Sequence, residues 1–439
     1  MLINRKRVGY FSPNLYLPLL PVLLMGLSVV TDSIVLCYFA LLFVPYFVLV
    51  NPLGLLPVLL VSSLSSDYFA VAEGLGATRL FAIGFVLGTI LSVLKTRNDE
   101  GKTVWLLPVL YIVLVTTVSS LINGGEPYLT ILYRIFLSAF VAISCAFLRV
   151  TQRECERIIK SIVYAYVITT VFLVLNVMTN SNVISGRYSV SETVNSNRLA
   201  MMCVQLGVVM LMHMFISRRT IAIILGIVLC MACLVIIFLS GSRTGIIALI
   251  LGSLLTSLIK RVVRKERFKN IIIILIVFLI GWLVLSYLIQ NNDFLASRFT
   301  IESIKSSGGT HRYDALLVEL KYIIPQHWLI GVGTSNEVAQ VGRYMLVGYS
   351  SHNILFSMLT QIGVLGAVGY FCLIKRVFVK IVSGMKYNIL FVFPLGMLVC
   401  ALINGIGEII YSERFFWCVL SFGILCNNSL KTPNDDGGE

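Results

Sequence analysis

KRVVRKERFKNIIIILIVFLIGWLVLSYLIQNND, residues 260–293, contains the pattern that decides the fold. A basic stretch, Lys260–Lys269, gives way to an apolar run ending near Ile289 and then to polar Gln290-Asn291-Asn292-Asp293. About 20 apolar residues in a helix cover roughly 30 Å of hydrocarbon. The run must be helical, because no water in that layer can satisfy an open backbone. Positive-inside orientation keeps the basic end in the cytoplasm, so the chain emerges on the outer side after Ile289.

The same pattern recurs in both directions. Apolar runs are expected at about 15–30, 33–50, 52–64, 78–94, 104–122, 129–148, 156–178, 197–216, 220–239, 243–259, 270–289, 352–374, 387–404 and 413–427. That makes about fourteen spans, or about twelve if the segments hinged at Asn51-Pro52 are not both crossings. Basic residues gather at Lys95–Lys102, Arg149–Arg157, Ser217–Arg219, Lys260–Lys269 and Lys375–Lys386, and the alternate loops are poor in them. Asn4-Arg5-Lys6-Arg7 ahead of the first run looks like the start of a signal peptide. No small-x-small cleavage site follows, so the run is read as the first helix, entered from the cytoplasm.

Composition agrees: 439 residues, 58% hydrophobic and 12% charged, with a mean hydropathy of +0.93, exclude a soluble domain. The formal charge of +14 is spread between apolar runs, which fits membrane topology and not nucleic-acid binding. None of the ten cysteines lies in the long outer segment, so no disulfide framework is expected there. Cys230-x-x-Cys233 sits deep in an apolar run and reads as packing. The fold class is an all-α polytopic membrane protein. Its parts are an N-terminal bundle (1–289), one large outer loop (290–351), C-terminal spans (352–427) and a polar cytoplasmic tail (428–439).

Four outer stretches carry groups suited to chemistry. The turn Ser240-Gly241-Ser242-Arg243-Thr244-Gly245 opens an inward-running helix, capped by Ser242 or Ser240. Free N–H groups, the positive dipole end and Arg243 together suit a phosphate-type anion; a headgroup-snorkelling arginine is the plainer reading. The second stretch places Arg187 ahead of Asn195-Ser196-Asn197-Arg198, where Asn197 would cap a helix or meet a sugar hydroxyl. In the third, Thr310-His311-Arg312-Tyr313-Asp314 starts an amphipathic helix, with Thr310 as cap and Leu316, Leu317, Leu320 and Ile324 on one face. Arg312 in its first turn opposes the dipole unless an anion, or Asp314 or Glu319, is near. Asp293, Glu302, Asp314, Glu319 and Glu337 are scattered with no D-x-D pair, so no metal is expected. The fourth, Ser351-His352-Asn353, puts an imidazole at the start of an inward helix, where it can serve as a general base or bond headgroups.

In order and spacing these stretches resemble the O-antigen polymerase/O-antigen ligase superfamily of bacterial envelope glycosyltransferases. The motifs are Arg187 before Asn195-Ser196-Asn197-Arg198-Leu199-Ala200, then S-G-S-R-T-G at Ser240–Gly245, Arg312 ahead of W-L-I-G-V-G at Trp328–Gly333, and H-N-x9-G-x-x-G at His352, Asn353, Gly363 and Gly366. An R-x10-G spacing fits only Arg298 and Gly309. The resemblance implies an inverting, metal- and cofactor-independent transferase of GT-C-like architecture, acting on undecaprenyl-diphosphate-linked glycans. It would sit in the bacterial inner membrane with its site facing the periplasm. Donor and acceptor would both be lipid-linked glycans in the bilayer, with room for a chain-length-regulating protein partner. By the same resemblance Arg187, Arg243 and Arg312 would hold the diphosphate and His352 would act on the acceptor hydroxyl. Substrate contacts would come from Asn197, Arg198, Arg298, His311, Tyr313, Asn353 and Glu408. A polymerase is the expected activity, with a ligase acting on lipid A-core as the close alternative. A flippase is the distant one, because the spans are poor in charge.

Overall fold

The structure is a computed structural model and describes residues 16–64, 70–72, 75–96, 103–123, 128–179, 183–184, 187–189, 195–217, 219–265, 268–291, 296–297, 299 and 311–429. Asn4–Arg7, Arg298, Gly309, Thr310 and most of the C-terminal tail lie outside the described residues. The protein is an all-α polytopic membrane protein. Among the described residues the only strands are two short antiparallel pairs, Ala70–Ala72 with Leu75–Gly76 and Val183–Ile184 with Arg187–Tyr188.

Four short helices come first: α1 (Leu19–Thr31), α2 (Ile34–Leu41), α3 (Phe43–Val50) and α4 (Leu55–Leu64). Eight long ones follow: α5 (Ala77–Thr96), α6 (Thr103–Asn123), α7 (Tyr128–Phe147), α8 (Gln152–Thr179), α9 (Ser196–Ile216), α10 (Thr220–Leu239), α11 (Arg243–Arg264) and α12 (Lys269–Gln290). The loop segment holds α13 (Arg312–Val318) and α14 (Glu337–Val341); α13 runs on through a π-helical turn at Glu319–Ile323. The chain ends with α15 (Ile354–Gly384), α16 (Val392–Asn404) and α17 (Arg414–Ser429). Among the described residues nine helices, α5 to α12 and α15, are long and apolar enough to cross a membrane.

Three stretches expected as basic loops are partly helical. α8 starts at Gln152 because Thr151 and Glu154 form a capping box, each side chain bonded to the other's backbone N–H at 3.2 and 2.8 Å. α11 continues to Arg264, and α15 continues to Gly384. In α15 the extension is amphipathic: Val377, Ile381 and Gly384 are buried, while Lys375, Arg376 and Lys380 are left on the other face.

The bundle has an inside and a lipid side. Of the nine long helices α9 is the most enclosed, 83% of its span buried, and α12 the least, 28%. On α12, Ile272, Leu275, Leu279, Trp282 and Leu283 face outward, as a lipid-contacting helix requires. Every residue of α4 is buried, and at ten residues it is too short to span, about 15 Å of helix. The Asn51-Pro52 hinge therefore inserts a half-length helix into the interior, its start set by Asn51, whose side chain accepts from Leu53 N.

One end of the bundle, the loop face, bears residues 311–351 with the starts of α7, α9, α11, α15 and α17. The other, the basic face, carries the ends joined through Arg264 to the Lys386 carbonyl and Arg376 to the Val104 carbonyl.

α15 is kinked at Gly363 (φ 65°, ψ −173°), and the kink fastens the loop segment to the bundle. It frees the Thr360 and Gln361 carbonyls, which accept from Val332 N and Gly333 N at 2.8 and 2.9 Å. It also frees Val364 N and Leu365 N, which donate to the Trp328 and Leu329 carbonyls. Gly331 (φ 73°) and Gly363 lie where the two backbones touch, leaving no space for a Cβ at either. The W-L-I-G-V-G and H-N-x9-G motifs are thus two halves of one joint. The end of α6 adds Ser119 Oγ to the Gln361 carbonyl and Ser120 Oγ to Thr334 Oγ1, at 2.8 and 2.7 Å.

Candidate active site

The turn after α16, Gly405-Ile406-Gly407-Glu408, gathers the expected site residues. The Gly405 carbonyl accepts from Ile354 N at 2.7 Å, and the Ile406 carbonyl accepts from Asn353 Nδ2 at 3.0 Å. The Gly407 carbonyl lies 3.5 Å from an Arg312 guanidinium nitrogen. Glu408 Oε2 is 3.4 Å from His352 Nδ1. Gly407 also abuts Thr244, next to Arg243: a Cβ there would meet Thr244 Oγ1 at 2.5 Å. Four consecutive residues thus touch α11, α13 and the start of α15.

His352 is one of four non-glycine residues with positive φ among those described (φ 50°), a conformation that L side chains adopt at a cost. Its neighbours hold it there. Its N–H donates to Ser350 Oγ at 3.1 Å, and Asn353 caps α15 by accepting from Leu355 N and Phe356 N at 2.9 and 3.3 Å. With Nδ1 facing a carboxylate, the proton belongs on Nδ1 and Nε2 is left as the acceptor, the arrangement a general base needs. Both side chains are part-exposed, 36% for His352 and 21% for Glu408, so a hydroxyl can reach the ring.

Four arginines of the loop face occupy helix starts. Arg198 is third in α9, and Arg243, Arg312 and Arg414 are first in α11, α13 and α17. Each sits where the dipole disfavours a cation by about 0.3–1 kcal/mol. Specific acceptors hold several of them. Arg187 Nε donates to the Ser240 carbonyl at 2.7 Å and its guanidinium to Asn197 Oδ1 at 2.5 Å, tying the second stretch to the turn before Arg243. Arg198 and Arg134 both reach Glu413 Oε1, at 3.2 and 3.1 Å.

Several residues take roles other than those expected. Asn195 caps α9, accepting from Asn197 N at 2.9 Å, so Asn197 is not the cap; its carbonyl oxygen is spoken for by Arg187. Ser242 caps α11, whereas Ser240 Oγ donates back to the Ile237 carbonyl. Arg312 reaches Gly407 rather than Asp314 or Glu319. Asp314 lies 4.0 Å from His311, whose ring stacks on Tyr349 at 4.5 Å between centroids. Tyr313 is 59% exposed and joins none of these contacts. The buried face of α13 and its π turn is Ala315, Glu319 and Ile323, while Leu317 and Leu320 face outward. The small core of Ala315, Ile323, Val332 and Val341 outweighs the leucine stripe in setting the helix's rotation.

Glu413 and Arg134 were not legible as site residues. Arg134 stands alone in an apolar run and Glu413 is followed at once by Arg414, so only their meeting with Arg198 marks them. Glu319 and Glu337, scattered in sequence, lie together in the structure. Among the described residues no group of three or more His, Cys, Asp or Glu could hold a metal ion.

Residues 228–371, from within α10 through the kink of α15, match the family model described as O-antigen ligase. That match supports the O-antigen ligase/polymerase superfamily. The matched segment spans Arg243, Arg312, His352, Gly363 and Gly366; the 405–408 turn and Glu413 fall after it, and Arg187 and Arg198 before it. Over these 144 of the 439 residues the chain is similar to that family. No curated protein matches the chain.

Proposed function

We propose that the protein is an O-antigen polymerase. It would join undecaprenyl-diphosphate-linked repeat units into O-antigen or a related surface polysaccharide, by metal-independent inverting transfer at the periplasmic face of the inner membrane. The observation that carries the reading is the 405–408 turn, which places a carboxylate-oriented imidazole beside the starts of two helices that begin with arginine.

In this reading the acceptor is the terminal hydroxyl of a lipid-linked repeat unit. His352 Nε2 takes its proton while the oxygen attacks the anomeric carbon of the growing lipid-linked chain. The bond from that carbon to the diphosphate oxygen breaks with inversion, and undecaprenyl diphosphate leaves carrying the electron pair. Arg243, Arg312 and Arg187 offset the charge that develops on the leaving group, and Glu408 stabilises the imidazolium. Asn197, Arg198 and Asn353 line the approach, with His311 and Tyr313 further out on the loop segment. The basic face then lies in the cytoplasm, as its Lys and Arg content requires, and a chain-length regulator would meet the protein from the loop face.

The family description favours one second reading, a ligase passing the glycan to lipid A-core. Purified protein given only lipid-linked repeat units, with excess chelator, separates the two. A ladder of longer glycans supports the polymerase. Transfer that begins only when lipid A-core is added makes it a ligase, and transfer that needs a divalent ion overturns the metal-free chemistry.

A further inference from the structure

Two carboxylates lie directly beneath the site, and the reaction as written uses neither. Glu319, at the start of the π turn, is fully buried and Glu337, first in α14, is 2% exposed. Their carboxyls are within hydrogen-bonding reach of each other. Burying two adjacent acids without a cation is costly, and such pairs persist where the surroundings hold them in place. Here every carboxylate oxygen has a neutral donor. Glu319 accepts from Ser351 N at 3.2 Å and Thr360 Oγ1 at 3.4 Å. Glu337 accepts from Ser350 Oγ and Gln361 Nε2, both at 2.5 Å.

Two of those donors, Ser350 and Ser351, immediately precede His352, and Ser350 Oγ also accepts from His352 N. The other two, Thr360 and Gln361, are in the turn of α15 just before the Gly363 kink. Gln361 Oε1 accepts in turn from Tyr411 OH at 2.6 Å, three residues beyond Glu408. The pair therefore connects both sides of the imidazole: the segment that carries it and the turn that orients it.

We propose that Glu319 and Glu337 are positioning residues for the transfer, a clamp that fixes Ser350-Ser351 and thereby keeps His352 in its left-handed conformation toward Glu408. The proposal rests on His352 being the base. The clamp works with one proton between the two acids. Burial first, and the neighbouring Glu337 second, push the Glu319 carboxyl up to about 8, so it is protonated at neutral pH. Among the described residues the groups bonded to the pair are neutral. α15 presents Thr360 and Gln361, and the segment before it presents the two serines. The turn before α17 presents Tyr411 through Gln361, and Lys321 lies over the Tyr322 ring, 5.2 Å from its centroid. Removing the shared proton leaves two buried anions that repel each other, and the segment before His352 is released with them.

The test uses full-length protein in lipid nanodiscs with lipid-linked repeat units, from pH 6 to 9.5. Wild-type transfer should decline above the Glu319 titration, near pH 8. Glu319→Gln, which keeps the contacts and cannot ionise, should keep its rate within about threefold and lose the alkaline decline. Glu319→Ala, which removes the contacts, should lose at least about tenfold in kcat with KM little changed. Hydrogen exchange of the Ser350–Leu355 amides provides an arm independent of activity: wild-type protection, corrected for intrinsic rate, should fall between pH 7 and 9.5 and persist in Glu319→Gln. An alkaline decline retained by Glu319→Gln, or wild-type kcat and protection in Glu319→Ala, overturns the clamp. If wild-type protein transfers no glycan to any lipid-linked acceptor, the functional reading fails, and the exchange arm alone decides whether the carboxyls hold the Ser350-Ser351 segment.

Discussion

At the basic face Arg264 donates to the Lys386 carbonyl at 3.0 Å, Arg261 lies over the Phe268 ring and Arg376 lies over Trp105. At the loop face Arg187 donates to Ser240 and Asn197, while Arg134 and Arg198 converge on Glu413. The first group uses ring faces and terminal carbonyls, which any membrane helix end can offer; several of its members follow the helix dipole, as Arg261 and Arg264 do in the last turn of α11. In the second group Arg198 sits against the dipole in the first turn of α9, Arg187 lies in a short strand and Arg134 in the second turn of α7, and their acceptors come from other parts of the chain. Both groups reach across the chain; what sets the loop face apart is the carboxylate that two of its arginines share. A shared carboxylate holds two neighbouring guanidinium groups together against their mutual repulsion.

That contrast can be broken most decisively at His352. His352→Ala should lower transfer by about 10²–10⁴-fold, read as loss of the glycan ladder at unchanged membrane level. Arg243→Ala should follow, with a loss of about 10²–10³-fold in kcat; a normal ladder would return Arg243 to the class of headgroup anchors. A smaller effect is expected from Glu413→Gln, which removes the carboxylate shared by Arg134 and Arg198. A double-mutant cycle with Arg134→Gln, followed by melting midpoint in detergent, should give a coupling of about 0.5–3 kcal/mol. Smallest of all should be Arg264→Gln at the basic face, with transfer within about twofold of wild type and stability within about 0.5 kcal/mol. If that variant silenced transfer, the distinction between the two faces would be lost.

Much of the architecture was readable because a bilayer leaves the backbone few choices. Apolar length fixed where α5 to α12 run, and the expected ends fall within a few residues of those observed. The errors lie where amphipathic helix and basic loop share one composition, as at Lys375–Lys386, or where local packing overrides a stripe. Leu317 and Leu320 are exposed because Ala315 and Ile323 fit the small core of the loop segment. Of the two alternatives open for Asn197, the cap falls to Asn195, two residues earlier and an equally good cap, and Arg187 claims Asn197.

His352, Arg243, Arg312 and Arg187 stood out in sequence as polar groups on the side where they are scarce, and their chemistry needs no coordinates to state. Glu408 as the partner of His352, Glu413 between two arginines and the buried Glu319–Glu337 pair did not stand out. Residue type and apolar period are local, so the sequence by itself determined the helices, their order and the candidate charges. Which charges meet depends on Gly331 and Gly363 letting two backbones touch and on the 405–408 turn reaching three helices, contacts between residues far apart in the chain that only the tertiary structure decided.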